Sequence, residues 1–378
     1  MVDIRDRSVG VRRAVLAVGF VLILVGNGSA LAQLPLTESQ VGELVPRDVR
    51  EIYDRGLVFL ASTQLDNGSW GPGDQRPGMT SGLETSASFD ASWARQSEQG
   101  AGVTGLALLA ILASGEDANF GIYSGHIRKG IRSLINTQDP STGYFGLSMY
   151  HHGFAMLALA EAYGMVDERN LWPDGKPPRS VGQALELAVR AAITAQKANP
   201  SGAWRYYPES KDADTSISGA VLVGLLAARN AGIEVPDEAI DRAIVYFRSM
   251  TARTGDIFYI GQAAPVDTFA RTSIGNLIYA IARRKNLPEY KATLSFLTQR
   301  IEEPPGVFHE YIRYYEAQAL FQGDIDAWER WNRILIWQTK NAQLPDGSIQ
   351  GRFAPTISTS LSLLSLALNY RFLPIYER

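Results

Sequence analysis

Arg55-Gly56-Leu57-Val58-Phe59-Leu60-Ala61-Ser62-Thr63-Gln64-Leu65-Asp66-Asn67-Gly68-Ser69-Trp70 reads as an apolar helix that stops at a glutamine, turns at Asn-Gly and delivers a tryptophan two residues past the glycine. The unit recurs to the end of the chain. Gly-x-(aromatic or Ile) returns as Gly143-Tyr144-Phe145, Gly202-Ala203-Trp204, Gly255-Asp256-Ile257, Gly306-Val307-Phe308 and Gly347-Ser348-Ile349. Gln64, Gln138, Gln196, Gln299 and Gln343 precede five of the six glycines by four to seven residues, and Thr251 takes that place in the fourth unit. A fixed recurrence of this kind marks a repeat architecture. The glycines suit tight turns at helix ends that need positive φ, and the following aromatic folds back onto the helix just completed. These Gln, Gly and aromatic residues are expected to be architectural fastenings.

Between the fastenings lies a second set of helices, with expected cores at Thr104–Ser114, Gly153–Tyr163, Ser216–Ala231, Ser273–Arg284, Tyr314–Phe321 and Ser358–Asn369. They are apolar on nearly all sides, the mark of a buried helix. The first set is amphipathic, as in Asp237-Glu238-Ala239-Ile240-Asp241-Arg242-Ala243-Ile244-Val245-Tyr246-Phe247, with apolar spacing of three and four. Six half-exposed helices alternating with six buried ones predict an outer ring around an inner ring. The expected fold is an all-α (α/α)6 toroid of six helical hairpins.

The N-terminus reads as an export signal. Arg5, Arg7, Arg12 and Arg13 precede the apolar run Ala14–Gly26, and Ala30-Leu31-Ala32 supplies a small-residue cleavage site. Retention of this segment as an anchor is the alternative. The expected organisation is a signal peptide over 1–32, an extension over 33–45 and the toroid over 46–378. The chain carries 36 basic and 39 acidic residues, and removal of 1–32 leaves 32 against 37. A mildly acidic exported protein offers no basic footprint for nucleic acid. With no cysteine there is no disulfide, no thiolate metal site and no cysteine nucleophile. The loop Gly71–Gln99, rich in Gly, Ser and Pro, reads as a lid, a binding loop or a mobile surface segment.

The spacing basic-small-x-x-aromatic-Leu-x-x-x-Gln-x-x-x-Gly-x-Trp at Arg55–Trp70 resembles the QW repeat of squalene–hopene cyclases. More broadly, residues 46 to 378 are similar to the prenyltransferase/squalene-cyclase repeat superfamily, whose domains are α/α toroids. The resemblance implies fold more strongly than chemistry, since one fold hosts unrelated activities. Relatives whose zinc or thioester needs a cysteine are excluded by composition. The enzymatic relative that remains is the class II terpene cyclase, which protonates an alkene or epoxide with the middle Asp of Asp-x-Asp-Asp at the start of an inner helix. Lys211-Asp212-Ala213-Asp214-Thr215-Ser216 resembles that motif with one carboxylate missing. Either Ala213 stands in the donor's place, or Asp214 is the donor and Thr215 replaces its neighbouring carboxylate. Asp214 as a plain helix N-cap is the competing reading.

The histidines His151, His152 and His309, together with Asp214, Asp267, Arg271 and Glu310, are expected at inner-helix starts, which such a ring brings to one mouth. No histidine pair has the i,i+4 spacing of a helical metal site, so no metal and no cofactor are expected. The catalytic candidates are Asp214 and Asp212, with His309 or His152 tuning the acid. Tyr311, Tyr314 and Tyr315, with Tyr150 and Phe154, are expected to line an apolar, aromatic cavity suited to a hydrophobic ligand or a carbocation, with Asp267 and Arg271 beside it. Asp237, Glu238 and Asp241 read as helix-end acids. Three functions follow: a protein that binds and cyclises an isoprenoid-like ligand, a non-catalytic toroid recognising a protein or envelope component, or a polysaccharide-active enzyme. The expected partners are correspondingly an apolar isoprenoid-like small molecule or a protein or envelope component, with peripheral membrane contact compatible with both.

Overall fold

The computed structural model describes residues 45–71, 100–172, 175, 177–261, 268–304 and 306–376. The expected signal peptide, most of the Gly71–Gln99 loop and Asp267 lie outside the described residues. Among the described residues there are no strands, only isolated bridges at two repeat turns, Thr251 with Ile257 and Gln343 with Ile349. Residues from Pro46 onward form one compact unit.

Among the described residues, twelve helices of this unit build the hairpins. The outer ones are α1 (Arg47–Thr63), α3 (Ser124–Thr137), α5 (Val181–Ala198), α7 (Asp237–Ser249), α9 (Pro288–Thr298) and α11 (Ile325–Ala342). The inner ones are α2 (Ala101–Leu112), α4 (Met149–Ala162), α6 (Thr215–Asn230), α8 (Phe269–Ile281), α10 (His309–Gly323) and α12 (Pro355–Leu366). Every residue of α2 and of α4 is buried, whereas α1 and α7 bury one face only. Inner helices pack in order, α2 on α4, α4 on α6, α6 on α8, α8 on α10, α10 on α12, and α12 returns to α2. The protein is therefore an α/α toroid. The inner helices α2, α4, α8, α10 and α12 begin three to five residues before their expected cores. Their first turns carry Gly, His, Arg or Pro and give no continuous apolar signal, yet all sit inside the ring. Close approach of α4 and α6 uses Gly153, where a Cβ would press on the Ala220 carbonyl.

The glutamines have a specific job. Gln64 Nε2 donates to the Gly68 carbonyl at 2.9 Å and to the His126 carbonyl of α3 at 2.9 Å. Gln138 bonds Gly143 and Ala184 of α5, and Gln196 bonds Gly202 and Ala239 of α7. One amide thus closes its own turn and ties that turn forward to the next outer helix. Gly347 shows why the turn needs glycine. Its φ is +89°, and a Cβ would collide with the Arg55 carbonyl oxygen.

A second bond repeats one layer inward. The backbone N–H of the residue two past the turn glycine donates to a side chain at the start of the next inner helix. The pairs are Trp70 to Thr104 Oγ1, Phe145 to His152 Nδ1, Trp204 to Ser218 Oγ, Ile257 to Thr272 Oγ1 and Ile349 to Thr359 Oγ1, at 2.9–3.2 Å. The indoles of Trp70 and Trp204 also donate back to carbonyls of their own outer helices, Leu60 at 2.7 Å and Ala192 at 2.8 Å. The fifth unit departs from the pattern: Gln299 is exposed and donates to Ser295 Oγ on its own helix.

Candidate active site at one mouth of the inner ring

Asp214 is the N-cap of α6. Its Oδ1 accepts the Ile217 N–H at 2.8 Å, and its own N–H donates to the Trp204 carbonyl. The cap uses one carboxylate oxygen and leaves the other. The side chain is fully buried. Oδ2 makes no hydrogen bond of ordinary geometry, with Arg205 Nε standing off at 3.8 Å. Loss of solvation pushes the carboxyl up to about 7. The Ile217 amide, Arg205 and the Tyr259 hydroxyl act the other way without overcoming burial. Burial thus favours the protonated form of this group.

Asp212 is at the surface. It accepts from Arg205 Nη1, while its main-chain carbonyl is held by Asn199 Nδ2 at 2.8 Å. Arg205 lies over the Tyr206 ring, and the Tyr206 and Tyr259 hydroxyls are 3.0 Å apart. Arg271 lies above the Tyr259 ring and donates Nε to the Ile257 carbonyl at 3.1 Å. Arg205, Tyr206 and Tyr259 were not expected in the site. Tyr206 and Tyr259 each lie two residues past an anchor, Trp204 and Ile257, so repeat register was the signal that could have found them.

The three histidines hold partners other than Asp214. His152 accepts the Phe145 N–H on Nδ1 and places Nε2 3.0 Å from the Ala188 carbonyl, which fixes the Nε2–H tautomer. It fills the register slot that Thr104, Ser218, Thr272 and Thr359 fill elsewhere, so it is a fastening of the second repeat. Burial drives His152 and His151 down to about 4, and His151 Nδ1 accepts from the Gly102 N–H. His309 is about one-third exposed, with Nε2 3.6 Å from Glu310 Oε2. Glu310 Oε1 in turn accepts from Ser358 Oγ at 2.6 Å and the Arg352 N–H at 2.5 Å, fastening the last turn. Asp237 and Asp241 make surface ion pairs with Arg229 and Arg284.

The aromatic candidates do come together, across the ring. Tyr150 and Phe154 are on α4, and Tyr311, Tyr314 and Tyr315 are on α10, three places around the inner ring. Tyr150 meets Tyr311 with ring centres 6.5 Å apart, and Phe154 meets Tyr314 at 6.3 Å. Tyr315 packs on both Tyr311 and Tyr314. All five are buried, so at this level they fill the lumen with one another and do not line an open cavity. The cluster reaches the acid: Tyr150 is hydrogen-bonded to Ser216 and Tyr311, and Asp214 is close enough to bear on both tyrosines.

No protein-family model matches the chain, and no curated protein matches it in sequence. Solved structures do match it in fold. The type II terpene cyclase MstE from Scytonema, bound to geranylgeranyl dihydroxybenzoate, aligns over 88% of this chain and 99% of its own, with 12% identity and a TM-score of 0.54. The ligand-free MstE aligns with 13% identity over 87% of this chain, all of its own, and a TM-score of 0.54. An α-1,6-mannanase from Salegentibacter aligns over 84% and 98%, with 9% identity and a TM-score of 0.58. At these identities the likeness is one of fold, shared by a cyclase and a glycoside hydrolase alike.

Proposed function

We propose that the protein is an exported, terpene cyclase-like toroid that takes an apolar, isoprenoid-like molecule at the Asp214 mouth and uses Asp214 as its proton donor. The observation that carries this reading is a buried carboxyl, lifted to about 7, whose second oxygen is not used by the helix cap and is set against a cluster of aromatic side chains. An acid must hold its proton at working pH to give it away. Transfer to an alkene breaks the Oδ2–H bond, forms a C–H bond and leaves a carbocation beside the tyrosine faces, which stabilise positive charge. The carboxylate left behind sits at the N-terminus of α6, held by the Ile217 amide and 3.8 Å from Arg205. Ligand entry displaces the Tyr150–Tyr311 contact. The terpene cyclase among the fold neighbours supports this choice of ligand class.

The recognition-module reading is favoured by that same contact, since side chains that fill the lumen need no ligand. For a mannanase-like activity the support is weaker. The Salegentibacter enzyme is inactive when two neighbouring aspartates are replaced together. Here Ala213 separates the two acids, Asp212 is tied to Arg205 outside, and Asp214 is buried.

The test is native mass spectrometry with lipid extraction on the exported protein, followed by incubation with a squalene-like polyene. A co-purifying isoprenoid, and conversion that Asp214→Asn abolishes, support the proposal. An empty protein that converts nothing favours recognition through the loops.

A further inference from the structure

The fifth repeat carries a site of its own. Where Gln64, Gln138, Gln196 and Gln343 tie their turns forward, Gln299 bonds back to Ser295, and beside this turn lies a cavity of about 140 Å³. It is closed by the Ile301–Pro304 turn, by α10 and by α11. Its inner wall is Glu316, only 4% exposed. When the inner helices are aligned on Thr104, His152, Ser218, Thr272, Ile312 and Thr359, Glu316 falls with Leu108, Met156, Leu222, Asn276 and Leu363. Four of the five equivalents are apolar core, where an ionisable group is costly. Arg313, one turn earlier on α10, donates to Gln338 Oε1 at 2.6 Å, and Trp331 donates to Glu316.

We propose that this cavity binds a small organic cation of the alkylammonium type, with Glu316 as the buried counter-charge. Three carboxyl groups, Glu302, Glu303 and Glu316, face it against the guanidinium of Arg313, and Arg300 is paired with Glu303 from outside the lining at 3.8 Å. Glu302 and Glu303 stand exposed at the rim and draw cations in, while Leu335 receives the alkyl part and Trp331 offers an aromatic face. Burial lifts Glu316 to about 8, with Trp331 and Arg313 acting against the shift. The empty site therefore holds a proton at pH 7, and an entering ammonium ion replaces it, sending that proton to solvent. The other charged groups bearing on this exchange are Arg313 on α10, Glu310 through Arg313, the two rim glutamates, and Arg300, which is paired with Glu303; α11 lines the cavity with Trp331, Gln338 and aliphatic residues.

Calorimetric titration of the purified protein with butylammonium chloride tests the site, with sodium butyrate as the anion control. Run at pH 7 in buffers of different ionisation enthalpy, it is expected to show butylammonium binding with release of close to one proton. Glu316→Gln and Glu316→Leu should each weaken binding by about tenfold or more. Leucine is the register residue of three other inner helices, so Glu316→Leu should keep the helical circular dichroism of the parent. The proposal is overturned by no butylammonium binding at millimolar concentration, by unchanged affinity in folded Glu316→Leu, or by butyrate binding in its place.

Discussion

Gln343 Nε2 donates to the main-chain carbonyl of Ile52 at 2.9 Å, joining residues 291 positions apart. The same amide group closes the Gly347 turn at 3.1 Å. The last turn of the chain is thereby held on the first helix by the same bond that holds each of the first three turns on the helix after it. Gln343→Ala should destabilise the protein by about 1–3 kcal/mol, since it leaves two carbonyls without this donor. Gln138→Ala should cost a similar amount, and Gln299→Ala, on the surface, less than about 0.5 kcal/mol. Urea unfolding of the three variants measures the difference, and equal costs for Gln138 and Gln299 would refute the role assigned to the bridge.

The turn glycines separate two penalties that are usually confounded. Gly232 has φ +94° with open space where a Cβ would stand, while Gly347 has φ +89° and a carbonyl there. Gly232→Ala should cost about 1 kcal/mol from left-handed backbone alone. Gly347→Ala should cost at least about 2 kcal/mol more, as the turn must leave α1. Thermal melts of both variants decide whether the close approach carries that excess.

Stability should depend on pH in a one-sided way. Asp214 and Glu316, lifted to about 7 and about 8, keep protons in the folded chain that the unfolded chain gives up near pH 4. Their stabilising effect is complete below pH 4 and is lost as pH rises through 7 and 8. His151 and His152, lowered to about 4, act oppositely between pH 4 and 6.5, because the unfolded chain binds those protons first. The two trends offset each other up to pH 6.5, and above it only the carboxyls remain. Denaturation midpoints should fall between pH 6.5 and 8, by an amount of order 1.4 kcal/mol per pH unit for each group while it titrates. Asp214→Asn and Glu316→Gln should each flatten that limb, and a wild-type midpoint that rises across it would contradict the assignment.

His152 is assigned to the scaffold, and its variant separates that role from acid tuning. His152→Ala leaves the Phe145 N–H and the Ala188 carbonyl unsatisfied and should cost about 2–4 kcal/mol. Polyene turnover, measured at a temperature where the variant is folded, should keep the pH midpoint set by Asp214. A displaced midpoint would restore His152 to the site.

The repeat was legible because its parts are local: Gln, Gly and aromatic lie within one turn of chain, and the apolar runs between them announce the buried ring. The far end of each glutamine bond was not legible. His126, Ala184, Ala239 and Ile52 contribute a carbonyl, which leaves no mark on residue type. The tyrosines were found but misplaced for a different reason. Whether Tyr150 lines a lumen or fills it depends on Tyr311, which faces it from α10, and no spacing within a helix records the partner across a ring. Glu316 stood in plain view in the Tyr-rich run His309–Glu316, yet its oddity emerges only when six inner helices are laid in register and the others show mostly Leu or Met.

Because Gln343 fastens the final turn to the opening helix, every hairpin among the described residues has a neighbour on both sides, and none of them is an end repeat that must present a polar outer face. Folding stability is then shared around a circuit. The point at which the backbone enters this circuit is topologically arbitrary, so a version cut at another outer loop, with its present ends linked, has the same set of bonds to form. A version lacking one hairpin does not, since five units cannot bring the sixth turn's glutamine to Ile52.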